Sequence, residues 1–445
     1  MKGIIVTVLM MGALQILAQS PEKLSFRDAV KIGLQNNVTL NQNKNRLAYT
    51  QINKTSTLLQ LGPSVRANAS VYRNDGNSFN PQAGEVVNGV IDYVNGSIEA
   101  DMPVFSGLRQ LNLHRQASSE NEAQLHLVNR SNQDVIRDVA NQYLTCLLDQ
   151  QLVAIDEENV AAQQVQYDQI RVQVELGTRA EADLYNQEYQ LKNAELLLVR
   201  SRNKLKDDKA ILSQTIQIDP AIPFELEEVD WDVNAAVMDT LNLDQMYLTA
   251  LNRRDDLKQA EELEEAAHFG FSSTRGRYFP SLYAGISYGS RYNYIHGQDN
   301  RSFEDQFRTD NRQFGYGLSL SIPIYGGLQL RSQAALSRAG YHNAKLLSES
   351  ARVTVKTDVL RAYQNFRDAI ANYEAADAQL RAADLSYKTE KERYDLGISD
   401  IVQLAVVNQT YIKAQGDYQS SLYTLMFQRL MVSHALGTLK VEDIP

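Results

Sequence analysis

The chain has 445 residues, with 44 Lys+Arg against 54 Asp+Glu and a formal net charge of −10. Such an acidic balance makes the chain a poor polyanion binder, so no nucleic-acid partner is expected, and a chain that is 43% hydrophobic and 22% charged is not a disordered one. The single cysteine, Cys146, excludes an intrachain disulfide and any multi-cysteine metal site. The six histidines (His114, His126, His268, His296, His342, His434) are scattered, so a histidine metal site would have to be assembled by the fold.

In chain order, Met1-Lys2 precedes a mostly apolar run from Ile4 to Leu17 and then Ala18-Gln19-Ser20-Pro21. This reads as a secretory signal peptide over residues 1–19, cleaved after Ala18, with a short buried helix as the bland alternative. The run is too short to cross a membrane as a helix, and no later stretch reaches ~18 uninterrupted apolar residues. The mature chain is therefore expected to be exported: periplasmic, secreted or inserted as a β-barrel.

Two copies of one unit follow. Asp101-Met-Pro-Val-Phe-Ser-Gly-Leu-Arg109 resembles Ser321-Ile-Pro-Ile-Tyr-Gly-Gly-Leu-Gln329 at an offset of 220, and Tyr143 meets Tyr363 and Leu176-Gly177 meets Leu396-Gly397 at the same offset. Upstream, Gly62-Pro63-Ser64 meets Phe279-Pro280-Ser281, and Gly33 to Asn37 meets Ala250 to Arg254, at an offset of 217. Self-similarity over so many collinear points marks a duplicated architecture. The expected organisation is a first repeat over 20–218 (helix, β-hairpin 63–105, helical hairpin 107–218), a linker over 219–240, and a second repeat over 241–445 (helix, β-hairpin 279–325, helical hairpin 327–437, C-terminal tail).

The strands alternate with period two. Val65, Ala67, Ala69 and Val71 share one face, and Leu282, Ala284, Ile286 and Tyr288 another. The run from Phe314 to Ile324 covers 11 residues, the length of a tilted membrane strand; a soluble sandwich would show the same alternation. Long loops are expected from Arg73 to Asn95 and from Ser290 to Gln313. Between Tyr278 and Tyr325 lie 11 Phe or Tyr in 48 residues, against 5 in the 124 from Gly107 to Asp230. Tyrosine-rich bands of this kind flank the apolar zone of membrane barrels, although a sandwich core also recruits aromatics.

The helical parts are long. Between Gly107 and Leu176 there is no Pro or Gly, and from Leu328 to Leu396 only Gly340. Some 69 helical residues make a rod of roughly 100 Å. The return helix carries a seven-residue repeat, Leu184, Leu191, Leu198, Leu205 and Leu212, echoed by Leu404, Tyr411, Tyr418, Leu425 and Val432. A sustained heptad implies supercoiled helix packing. A dimeric coiled coil would satisfy it, but a rod followed by a sharp return makes an αα-hairpin. Gly177 and Gly397 sit where each rod must stop, as helix-ending glycines do. Four strands per chain cannot close a membrane barrel, and open edges are not tolerated in lipid. Strands in the membrane would have to be pooled, and three chains would supply 12.

The whole mature chain resembles the TolC-like outer-membrane efflux family. The resemblance rests on the repeated helix, strand pair and long hairpin. It rests further on Pro-Val-Phe-Ser-Gly-Leu (103–108) and Pro-Ile-Tyr-Gly-Gly-Leu (323–328), the tips Val174 to Gly177 and Arg393 to Gly397, and the ending Ala435-Leu-Gly-Thr-Leu439. The resemblance implies an α+β membrane fold: a homotrimer with a 12-stranded outer-membrane β-barrel and a periplasmic α-helical barrel. A mixed equatorial region would take in 219–240 and the C-terminus. It further implies the exit duct of a tripartite efflux or type I secretion system, joined through a periplasmic adaptor to an inner-membrane transporter.

A gate is implied as well, at the periplasmic ends of the hairpins. The family's Asp-ring positions, six and nine residues after the second tip glycine, are Gln403 and Val406 here, and Asp400 lies nearby. Tyr394 matches the family's gate tyrosine and Asp183 a gate partner. The place of the gate arginine is Ser399, while Arg179 holds the equivalent place in the first repeat. The candidate gate is therefore Tyr394, Asp183, Arg179, Asp400 and Gln403; plain solvated tip residues are the alternative. The candidate adaptor-docking tips are Leu176, Gly177, Thr178, Leu396, Gly397, Ile398 and Ser399. No phosphate loop, nucleophile elbow, His-Glu-x-x-His or Cys/His cluster is present, so no enzyme activity, metal or cofactor is expected. The competing function is a periplasmic helical scaffold without a channel.

Overall fold

The computed structural model describes residues 22–80, 84–229, 231 and 242–444. The signal-peptide reading and residues 230 and 232–240 of the 219–240 linker lie outside the described residues. The elements run β1 (Glu22–Leu24), α1 (Phe26–Asn36), α2 (Val38–Leu59), β2 (Ser64–Asn80), β3 (Glu85–Phe105), α3 (Arg109–Glu175), α4 (Glu181–Ile216) and β4 (Phe224–Leu226). The second half gives α5 (Leu243–Arg253), α6 (Asp255–Gly276), β5 (Ser281–Ile295), β6 (Gln313–Ser321), α7 (Gln329–Asp395) and α8 (Ile401–Leu436). The order helix, helix, strand, strand, long helix, return helix occurs twice. Both long helices have 67 residues and both return helices 36.

The chain packs as two compact units, each drawing on both repeats: one of residues 1–38, 132–246 and 359–445, the other of 39–131 and 247–358. In the first, β1 pairs in parallel with β4. The fully buried Tyr143 fixes that pair, its hydroxyl lying 2.8 Å from the Leu24 carbonyl and 2.9 Å from the Glu227 carbonyl while its ring stacks on Phe26 at 4.8 Å. Gly33 lets α1 close on α3 and α4, since a Cβ there would meet Val139 Cγ2 at 2.8 Å. The C-terminus returns to the same place, with Arg27 donating to the Ile444 carbonyl at 2.9 Å.

The heptad positions behave as a packing seam. Leu191, Leu198, Leu212, Leu404, Leu425 and Val432 are buried, and the remaining four are half-buried. The tyrosines of the second copy have partners on α7: Tyr411 stacks on Tyr387 at 5.1 Å, and Tyr418 meets Tyr373 at 5.7 Å.

The second unit holds a four-stranded antiparallel sheet of order β2-β3-β5-β6. The register puts Val65, Ala67, Ala69, Val71, Val94, Ile98, Ala100, Tyr288, Ile286, Phe314, Tyr316 and Leu318 on one face. The other carries Arg66, Asn68, Ser97, Glu99, Asp101, Ser287, Gly315, Gly317 and Ser319. One face is apolar and the other polar, as alternation demands.

Four expectations are corrected. The first hairpin has no loop from Arg73 to Asn95: β2 and β3 stay paired to Asn80 and Glu85, because the ladder is made by the backbone and Arg73 pairs across it with Asp92 at 2.6 Å. The second loop is shortened to 296–312 and contains a helical turn, Phe303–Asp305, running into a π-helical turn, Gln306–Asp310. β6 stops at Ser321, before Pro323, which has no N–H for a ladder. Each repeat also opens with two helices rather than one. The breaks fall at Asn37 and Arg254, positions aligned at the offset of 217, where ψ swings to 120° in both.

Candidate functional site: the tips of the two helical hairpins

Both tips are built alike. α3 ends with Gly177 in the left-handed region (φ +76°), Gly177 N–H donating to Val174 O at 2.9 Å and Thr178 N–H to Gln173 O at 2.8 Å. α7 ends with Gly397 (φ +71°), whose N–H donates to Tyr394 O while Ile398 N–H donates to Arg393 O, both at 2.9 Å. This paired arrangement satisfies the last helical carbonyls, and glycine adopts the required φ without a Cβ penalty. Beyond the glycine the copies diverge. α8 is capped by the Asp400 carboxylate, which accepts from Gln403 N–H at 2.8 Å, whereas Ala180 gives α4 no side-chain cap.

Beneath the tips lies an apolar cluster of Ile170, Tyr394, Ile401 and Leu404, with Val174, Leu184 and Tyr387 packed against it. It draws on α3, α4, α7 and α8, so it ties the two hairpins of one chain together. Tyr394 is 9% exposed. The Arg179 guanidinium lies over its ring, 4.8 Å from the centroid. Burial pushes the Tyr394 phenol up, Arg179 and a hydrogen bond from Gln166 pull it back, and the nearby Asp183 charge adds to the rise. Of the five candidate gate residues, three therefore meet here: Tyr394, Arg179 and Asp183. The Asp400 carboxylate caps α8 through the Gln403 backbone N–H, and the Gln403 side chain is exposed. The docking candidates Leu176, Leu396 and Ile398 are 65–75% exposed.

Two features were not read from the sequence. Glu390, 6% exposed, accepts from the Ser399 hydroxyl and pairs with Arg393 at 3.1 Å, bracing the second tip from inside. Deeper, a buried amide network crosses the helices: Gln187 donates to Gln163 Oε1 at 2.8 Å, and Asn408 donates to Asn159 Oδ1 at 3.3 Å. The available signal was a glutamine in the apolar stripe, Gln187, between Leu184 and Leu191. No group of metal-ligating side chains and no helix long and apolar enough to cross a membrane occurs among the described residues.

Fold and sequence together resemble the TolC-like outer-membrane efflux proteins. Residues 246–437 match the family described as outer membrane efflux protein. The chain is 24% identical over 416 residues to the outer membrane protein TolC of Escherichia coli (89% of this chain, 78% of that one). It is 24% identical over 311 residues to the toluene efflux pump outer membrane protein TtgC of Pseudomonas putida (66% and 57%). The match to some curated relatives spans as little as 40% of their length. The crystal structure of VceC from Vibrio cholerae superposes with a TM-score of 0.80 at 14% identity, covering 93% of this chain and 96% of that one. These relatives are named as outer-membrane or efflux proteins.

Proposed function

We propose that three copies of this chain form a passive outer-membrane duct that releases substrates delivered by an inner-membrane transporter through a periplasmic adaptor. One observation carries this reading: a four-stranded sheet with an exposed apolar face, a polar face and two edges, β2 and β6, left unpaired within the chain. In lipid such edges must be closed. Three copies supply twelve strands with the polar faces turned to a lumen. The relatives, named as outer-membrane or efflux proteins, support the same role. The N-terminal segment acts as the export signal, with cleavage after Ala18, and the adaptor docks at the two exposed tips. The gate consists of Tyr394, Arg179 and Asp183.

The test is imaging and conductance of the detergent-purified mature protein. Threefold particles carrying a rod roughly 100 Å long, with a pore in planar bilayers, bear the proposal out. Compact or twofold particles without conductance refute it and favour the scaffold.

A further inference from the structure

The loop between β5 and β6 is folded onto the apolar face of the sheet. Gln306, 1% exposed, grips the free edge of β5: its Oε1 accepts from Asn293 N–H at 3.1 Å, and its Nε2 donates to Asn293 O and Arg301 O, both at 3.0 Å. The Ser290 hydroxyl donates to Phe307 O at 2.6 Å, and Arg301 pairs with Asp310 at 2.6 Å. Phe307 reaches over Gly96, where a Cβ would lie 3.0 Å from the ring. Phe303 stacks on it at 5.1 Å and meets the edge of Tyr292 at 5.2 Å. The loop is thus fixed from both ends.

Below it opens a groove of about 650 Å³, lined by Ala67, Ile98, Tyr288, Phe307, Arg308 and Arg312. The floor is apolar and belongs to the face that meets lipid in the proposed duct. The charged residues of its lining are both arginines, Arg308 and Arg312. Arg308 pairs with Glu304 at 3.0 Å, but both side chains are more than 70% exposed, so the pair holds it weakly. Arg312 has no ion-pair partner among the described residues. Farther along the same face the apolar stripe gives way to the Arg73–Asp92 pair, so the groove lies near the outer border of the apolar band.

We propose that this groove is a binding site for a lipid with a phosphorylated headgroup. Acyl chains lie along Ala67, Ile98 and Tyr288, and the phosphate is held by Arg308 and Arg312. Guanidinium forks match phosphate oxygens, and such bonds strengthen where apolar surface excludes water. An uncharged acyl chain would need neither arginine, and a free phosphate would need no apolar floor. The inference rests on the reading of the apolar face as lipid-facing.

The test uses the full mature protein in maltoside micelles, with lipid retention measured by native mass spectrometry. The probes are lipid A, dephosphorylated lipid A and inorganic phosphate. Lipid A is expected to be retained at least about tenfold better than its dephosphorylated form. R308Q/R312Q is expected to remove that preference, and R312Q alone, a site with no partner to disturb, to reduce it. Equal retention of the two lipids, equal retention by wild type and R308Q/R312Q, or displacement of lipid A by millimolar phosphate each overturns the site. Conductance of the same preparations judges the duct separately: a conducting protein without lipid selectivity loses only this inference, and a non-conducting one loses the duct.

Discussion

Asp149 shows how a single buried side chain sets a pH response. It sits on α3 with 1% of its side chain exposed. One oxygen is held by Lys204 of α4, and Oδ2 has no hydrogen-bond partner. Lys204 also pairs with Asp208 at 3.2 Å, and Gln142 donates to Asp208 Oδ1 at 3.3 Å. Burial, reinforced by the neighbouring Asp208, pushes Asp149 up to about 6. The unfolded value is about 3.9, so between those limits the folded state holds a proton that the unfolded chain has lost. Stability therefore falls as pH rises from about 4 to about 6, by on the order of 3 kcal/mol, and stays at the lower level above that window. Asp149→Asn removes the charge while leaving the 57% exposed Lys204 in water. Thermal melts from pH 4 to 7.5 should then lose the slope over that window, with a melting point at pH 7.5 equal to or above that of the wild type. A slope that survives, with a lower melting point at every pH, would show that the carboxylate is a net stabiliser.

At the scale of elements, the hairpin tips join what the sequence displayed and what it hid. The stop at each tip was legible because glycine is the residue that reverses a helix with φ near +70°, and the heptad was legible because a packing seam repeats. The Arg179–Tyr394 contact was suggested by resemblance, and its geometry comes from packing four helix ends around one tyrosine. Glu390 was hidden because an acidic residue on a long helix reads as solvated; only the tertiary fold places Ser399 against it. The strand ends from Arg73 to Asn80 were hidden for another reason: once both faces are polar, alternation vanishes although the backbone ladder persists. The tip contact carries its own prediction. A cation over a tyrosine ring contributes about 1 kcal/mol. Arg179→Ala in a gate of three copies should therefore raise the resting conductance in a planar bilayer severalfold, while Tyr394→Phe, which keeps the ring, should raise it less. Conductance that is the same in wild type and in the Asp183→Ala/Tyr394→Phe double variant would show that these residues are not a latch.

At the scale of the whole molecule, neighbouring residues of one strand have opposite fates. Leu318 and Ser319 are consecutive on β6, exposed in the single chain, and on opposite faces of the sheet. In a pooled barrel Leu318 meets hydrocarbon and Ser319 meets the lumen. A lysine on the lipid face near the midplane costs about 2–4 kcal/mol per chain, and a lumen-facing lysine costs little. With the cost multiplied by three, Leu318→Lys should deplete the assembled protein in carbonate-washed membranes. Ser319→Lys should assemble normally and shift the pore's preference towards anions by adding three positive charges to the lumen. A periplasmic scaffold with both faces in water predicts no such asymmetry, and a sandwich, which would also bury Leu318, predicts no pore whose selectivity Ser319→Lys could shift. Membrane levels and reversal potentials of the two variants decide between them: equal assembly of both would refute the face assignment and, with it, the barrel built from this sheet.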